Sequence, residues 1–255
     1  MPVLSRTFLA FLAMVFLIGA FAPGTSYAHP SEDELIRQLE EQYGRPRPSQ
    51  DPDRQHQSDE QAEEVMAAPT LGQTIGQYIV IGYQHILPKG LDHILFVCGL
   101  FLASIRFRPL LIQVTSFTVA HTVSLALAIL GYVNIPGAII EPLIALSIAG
   151  VAIENIAFNR MTPWRPIVVF GFGLLHGLGF AGVLMDIGMP QGQFIPGLIS
   201  FNVGVEFGQL TVLILAWAIL HWFYHRPWYR ARIQIPASAL IAVVGLYWTV
   251  ERIFF

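Results

Sequence analysis

From residue 71 onward the chain is a succession of hydrophobic runs divided by short polar or Pro/Gly breaks: 71–87, 91–105, 109–133, 136–158, 164–187, 194–224 and 235–255. A helix that crosses a membrane needs about 20 predominantly apolar residues. The first two runs are short and share the Pro88-Lys89-Gly90 break, so they form either one interrupted element or two short helices. The loops choose between these. Arg106 and Arg108 follow the second run, Arg160 and Arg165 the fourth, and Arg226, Arg230 and Arg232 the sixth, whereas the turns at 131–136 and 188–194 hold no Lys or Arg. Basic loops stay on the cytoplasmic side. With an exported N-terminus, residues 71–105 must then cross a net once. The expected fold is an all-α integral membrane bundle of six crossings with a broken first helix. Irregular backbone at membrane depth is tolerated only beside protein or a wet cavity, so the break is expected to border a site.

The sequence ahead of these runs reads differently. Residues 1–28 have the form of a secretory signal peptide, with Arg6, an apolar core from Phe8 to Phe21 and the small-x-small Ser26-Tyr27-Ala28. Residues 29–70 are polar and carry 11 of the 17 acids with four bases. Ser31 and Glu34 make a capping-box pattern, and Leu35, Ile36 and Leu39 predict a short amphipathic helix up to about Tyr43. Beyond it almost nothing can be buried, and the segment is expected to be disordered, acidic and outside the cytoplasm.

Composition sharpens this reading. Charged residues make up 12% of the chain, against roughly 25% in an ordinary soluble domain, and mean hydropathy is +0.57. Only six acids remain in residues 71–255, so each can be weighed singly. The single cysteine, Cys98, excludes an internal disulfide and any multi-cysteine metal site, and its apolar surroundings mark it as a packing residue. No basic patch exists outside short loops, which sets nucleic acid aside as a partner.

Ionisable groups inside apolar runs cost several kcal/mol each by order of magnitude, so they are read as functional. The stretch YQHILPKGLDHILFVCG (83–99) places His85, Asp92 and His93 around the break. In the third run Thr118, His121 and Thr122 lie at i, i+3 and i+4 on one face; the plain alternative for His121 is a hydrogen-bonded packing residue. In the fourth, Glu154 stands near the cytoplasmic end, where an ion pair with Arg160 or Arg165 would account for it. In the fifth, His176 is flanked by Gly171, Gly173, Gly177, Gly179 and Gly182, which let a helix or a ligand come close. In the sixth, Asn202, Glu206 and Gln209 fall at i, i+4 and i+7, a polar stripe that needs partners on another helix. His221 and His225 are expected at the interface. The metal candidates are therefore His85, Asp92, His93, His121, His176 and Glu206, supported by Asn202, Gln209, Glu154 and Thr118. Imidazole with carboxylate suits nickel, cobalt, zinc, copper or iron(II) and disfavours magnesium and calcium.

These segments together resemble a known family. HILPKGLDHILFVCGLFLAS, FTVAHTVSLALA, IALSIAGVAIEN, FGLLHGLGFAG and FNVGVEFGQL, in this order over residues 72–255, are similar to the HupE/UreJ family of bacterial membrane proteins. The resemblance implies a multi-pass protein of the bacterial inner membrane and a nickel, possibly cobalt, permease. It also matches His85, Asp92 and His93 to the family's first-helix motif, in which a histidine precedes an Asp-His pair. Here that spacing is one residue longer than usual, the mark of a divergent branch. The expected function is thus transport of a divalent transition metal, most readily nickel, with the metal as substrate and no permanently bound cofactor. Two alternatives stand beside it: an intramembrane zinc-dependent hydrolase, and a metal-binding membrane partner of an exported metalloenzyme acting through residues 29–70. The chain is otherwise not expected to be an enzyme.

Overall fold

Proline and glycine punctuate the hydrophobic runs and set the helix boundaries. The computed structural model describes residues 69–158, 161–188 and 192–255. The expected signal peptide, amphipathic helix and disordered acidic segment lie outside the described residues. Among the described residues there are seven α-helices and no strand: α1 Leu71–Ile86, α2 Leu91–Ala103, α3 Phe107–Ile129, α4 Gly137–Ala157, α5 Arg165–Ile187, α6 Phe194–Tyr224 and α7 Ile235–Phe254. A π-helical turn, Arg230–Gln234, leads directly into α7. Helix α3 stops at Ile129, short of the run's end at 133, because Gly131 takes φ +77 and turns the chain. Gly188, at φ +73, ends α5 in the same way.

Five segments are each long and apolar enough to cross a membrane: α3, α4, α5, α6 and the π turn with α7. Helices α1 and α2 meet that test only as a pair, and they are bent by 70° at the break. Large apolar side chains cover the outside, among them Ile112, Val119, Ile139, Ile167, Ile199 and Val243. In water such a surface would drive aggregation; in a bilayer it is the expected solvent contact. This is a multi-pass membrane protein.

The bundle is assembled from three close helix pairs, α1 with α6, α3 with α5 and α4 with α7. Small residues bring each pair together. A Cβ on Gly82 would overlap the Phe201 carbonyl of α6, and one on Gly204 would overlap the Ile79 carbonyl of α1. On α5, Gly173 and Gly177 lie against the α3 backbone at Phe117 and His121, and Gly245 of α7 lies against Ala145 and Ala149 of α4. Lipid gives helices no hydrophobic reason to associate, so close van der Waals contact at small residues must supply it. The order of these contacts makes α1 parallel to α6 and α3 parallel to α5, with α7 antiparallel to α4. The connection at 130–136, Gly188 and Gln193 share one face of the bundle, here the Gly137 face; Arg106, Arg165 and Arg226 mark the opposite one.

Candidate metal centre

The bend between α1 and α2 does the first work of the site. Gly90 N–H donates to the Ile86 carbonyl at 3.1 Å, and a Cβ on Gly90 would overlap the His85 carbonyl. Only a glycine lets the chain fold back this tightly. The fold-back sets the His85 ring against that of His93, with centroids 4.7 Å apart and planes at 69°. His121 of α3 completes the group: one nitrogen from each of His85, His93 and His121 lies within 4.8 Å of the other two. Three phenylalanines wall it, and a fourth stands behind. Phe180 lies 3.8 Å from the His85 ring, Phe117 5.7 Å from His93, and Phe201 6.2 Å from His121; Phe96 stands 5.5 Å from His176 behind them.

Neighbouring groups fix which nitrogens of His121 and His93 carry lone pairs. Asn202 donates through Nδ2 to the Leu198 carbonyl at 2.9 Å, which turns its Oδ1 toward His121 Nδ1 at 3.0 Å. An amide oxygen only accepts, so the His121 proton sits on Nδ1 and Nε2 is left basic. That Nε2 is buried without a partner, as is Nε2 of His85. A second relay reaches His93. Ser147 gives its one proton to the Ile144 carbonyl at 2.7 Å, so it accepts from His176 Nε2 at 3.3 Å. His176 Nδ1 is then an acceptor for His93 Nε2 at 3.3 Å, which leaves His93 Nδ1 as that ring's lone-pair nitrogen. Orienting partners of this kind are what metal-binding histidines use to hold tautomer and direction. Three imidazoles in a buried aromatic pocket, with Nε2 of His85 and of His121 left without partners, suit a borderline transition metal and offer nothing to calcium or magnesium.

The other residues singled out by the sequence take different places. His176 touches His93 but stands outside the group of three. Asp92 is held by Arg252 of α7, whose Nη2 donates to both carboxylate oxygens at 3.2 and 3.0 Å. The stripe on α6 finds its partners on α3: Asn202 meets His121, Gln209 meets Thr118 at 3.1 Å, and the Thr115 hydroxyl donates to Glu206 at 2.8 Å. One Glu206 oxygen remains buried and unpartnered. Thr122 returns its hydroxyl to the Thr118 carbonyl within its own helix. Glu154 accepts from Thr162 at 2.7 Å and pairs with Arg165 at 3.4 Å, the local ion pair considered for it. Gly173 and Gly177, flanking His176, serve helix packing against α3, not the approach of a ligand. His221 donates to the Trp217 carbonyl at 2.8 Å and stacks on that ring, and Cys98 is buried in α2.

Sequence reasoning missed Ser147, Arg252 and the four phenylalanines. A serine or phenylalanine in an apolar helix carries no signal of its own. Arg252 gave a faint one, as a cation in the last turn of a hydrophobic helix.

No curated protein and no solved structure matches the chain significantly. The profile described as "HupE / UreJ protein" matches residues 60–252, most of the sequence and all of the helices that build this pocket. The chain is a member of the HupE/UreJ family.

Proposed function

We propose that this protein carries a divalent transition metal ion, nickel or cobalt, across the bacterial inner membrane by way of the three-histidine pocket. The observation that carries this reading is the convergence of His85, His93 and His121 within 4.8 Å, with buried Nε2 atoms on His85 and His121 that no protein group satisfies. Burying such groups without partners costs about 1–3 kcal/mol apiece, a standing penalty that a bound cation would remove. Three imidazoles are also too few to close a metal's shell, and a carrier must release what it binds. In this reading residues 71–105 form one interrupted crossing, the Gly137 face is outside and the arginine face is cytoplasmic. Metal sheds water at Asp92 and the break, rests on the histidines and leaves along the α3–α6 seam past Glu206, with His176 supporting His93.

Uptake of nickel, cobalt, zinc and copper into proteoliposomes tests it. One of these should enter above the protein-free background, and His93→Ala should abolish that uptake. If no metal enters while zinc stays bound through dialysis, the carrier reading fails and a resident zinc site of hydrolytic type takes its place.

A further inference from the structure

Asp92 and Arg252 form an ion pair between two helices that otherwise barely touch. Helix α7 packs mainly on α4, and its contact with α2 is slight. The pair sits where α2 begins and α7 ends, with the side chains 24% and 23% exposed. Its geometry is unusual for arginine and carboxylate. A single nitrogen, Nη2, serves both Asp92 oxygens, while Nη1 donates to the Glu141 carbonyl at 3.1 Å. The parallel two-nitrogen fork that makes such pairs strong is therefore absent. The guanidinium also lies 5.5 Å from the centre of the Trp248 ring. If the carboxylate let go, the Glu141 carbonyl and the Trp248 face would still hold Arg252. Asp92 itself immediately precedes His93, whose ring lies in the histidine pocket.

We propose that Arg252 is a tethered cation that holds the Asp92 carboxylate until an incoming divalent metal ion takes its place, so that the carboxylate exchanges one cation for another. This rests on the reading of the histidine pocket as a metal site. The physics favours the exchange. A divalent ion carries twice the charge and approaches a carboxylate oxygen to about 2.0–2.2 Å, against the 3.0 Å of the ion pair. A partly exposed pair is worth little by itself and is easily given up. Arg252 thus acts as a positioning residue through Asp92. It holds the carboxylate in place when the site is empty, and it lowers affinity enough for metal to be released.

The test is nickel(II) titration of purified full-length protein, comparing wild type with Arg252→Gln, Arg252→Lys and Asp92→Asn, with thermal unfolding to verify that each is folded. Removing the tethered charge should tighten nickel binding about tenfold, and removing the carboxylate should weaken it about tenfold, a separation of about 1.4 kcal/mol on either side of wild type. Arg252→Lys keeps the competing charge and should stay near wild type. A pair that only braces the fold would shift Arg252→Gln and Asp92→Asn in the same direction; that result, or unchanged affinity in Arg252→Gln, overturns the proposal while leaving the histidine site standing. Absence of nickel binding by wild type would overturn the histidine-site reading and this proposal with it.

Discussion

The histidine pocket and the arginine network at the C-terminal end of α4 each place several polar side chains inside an apolar bundle, and they differ in what those side chains leave open. In the network, opposite charges and backbone carbonyls take up much of the polar capacity, although Arg165 Nε and Nη2 stay buried without a partner. Arg165 donates to Asn155 at 3.0 Å and pairs with Glu154, while Arg230 donates to the Asn155, Ile156 and Phe158 carbonyls that end α4. Cations at a helix C-terminus also oppose its dipole favourably. In the pocket, polar partners are spent only on outer nitrogens: Asn202 on His121 Nδ1, and Ser147 through His176 on His93 Nε2. The inner nitrogens of His85 and His121 have none. Open capacity alone therefore does not mark a binding cluster: the network's open atoms are donors on one guanidinium, whereas the pocket brings nitrogens of three imidazoles, able to offer lone pairs, within reach of one another.

That contrast is broken most sharply by exchanging its consequences. His121→Ala should lower nickel affinity by more than roughly 100-fold, beyond the 10–100-fold that loss of a supporting partner costs, and should also cost some stability through the cavity and the orphaned Asn202 Oδ1; equilibrium titration with nickel on the folded variant reads the affinity. Arg165→Met should act on the fold instead, destabilising the protein by about 1–3 kcal/mol because the buried Asn155 Oδ1 loses its donor, with nickel affinity unchanged once folded; chemical denaturation in detergent measures that loss. Asn202→Ala sharpens the comparison from within the pocket. The His121 tautomer is then unfixed, and affinity should fall about tenfold, with Asn202→Asp restoring most of it because a carboxylate accepts the same proton. Glu206→Gln is the smallest effect in binding: the carboxylate lies outside the histidine group, so affinity should hold while the rate of nickel uptake into proteoliposomes falls.

Much of this was legible in the sequence because polar residues are so sparse in residues 71–255. Each histidine of the pocket could be read one at a time as an ionisable group in an apolar run, and the i, i+4, i+7 stripe of α6 required a facing helix, which is α3. The Pro88-Lys89-Gly90 break was readable too, although its 70° bend was not. Partnerships across the chain were beyond reach. Asp92 and Arg252 are 160 positions apart, and nothing local tells whether a carboxylate faces a metal or a guanidinium. Ser147 escaped because a serine in a membrane helix ordinarily bonds its own backbone, and this one does so while also orienting His176. The glycines around His176 were ambiguous by nature, since the same missing Cβ admits a ligand or a neighbouring helix; at Gly173 and Gly177 it is the helix.

The most direct test of the central claim is X-ray absorption at the nickel edge of purified protein loaded with one equivalent of metal. The account predicts a first shell that includes three imidazoles, falling to two in His121→Ala if the metal is retained. A shell of oxygen atoms alone, or one with a single imidazole, would contradict it and place the metal away from His85, His93 and His121.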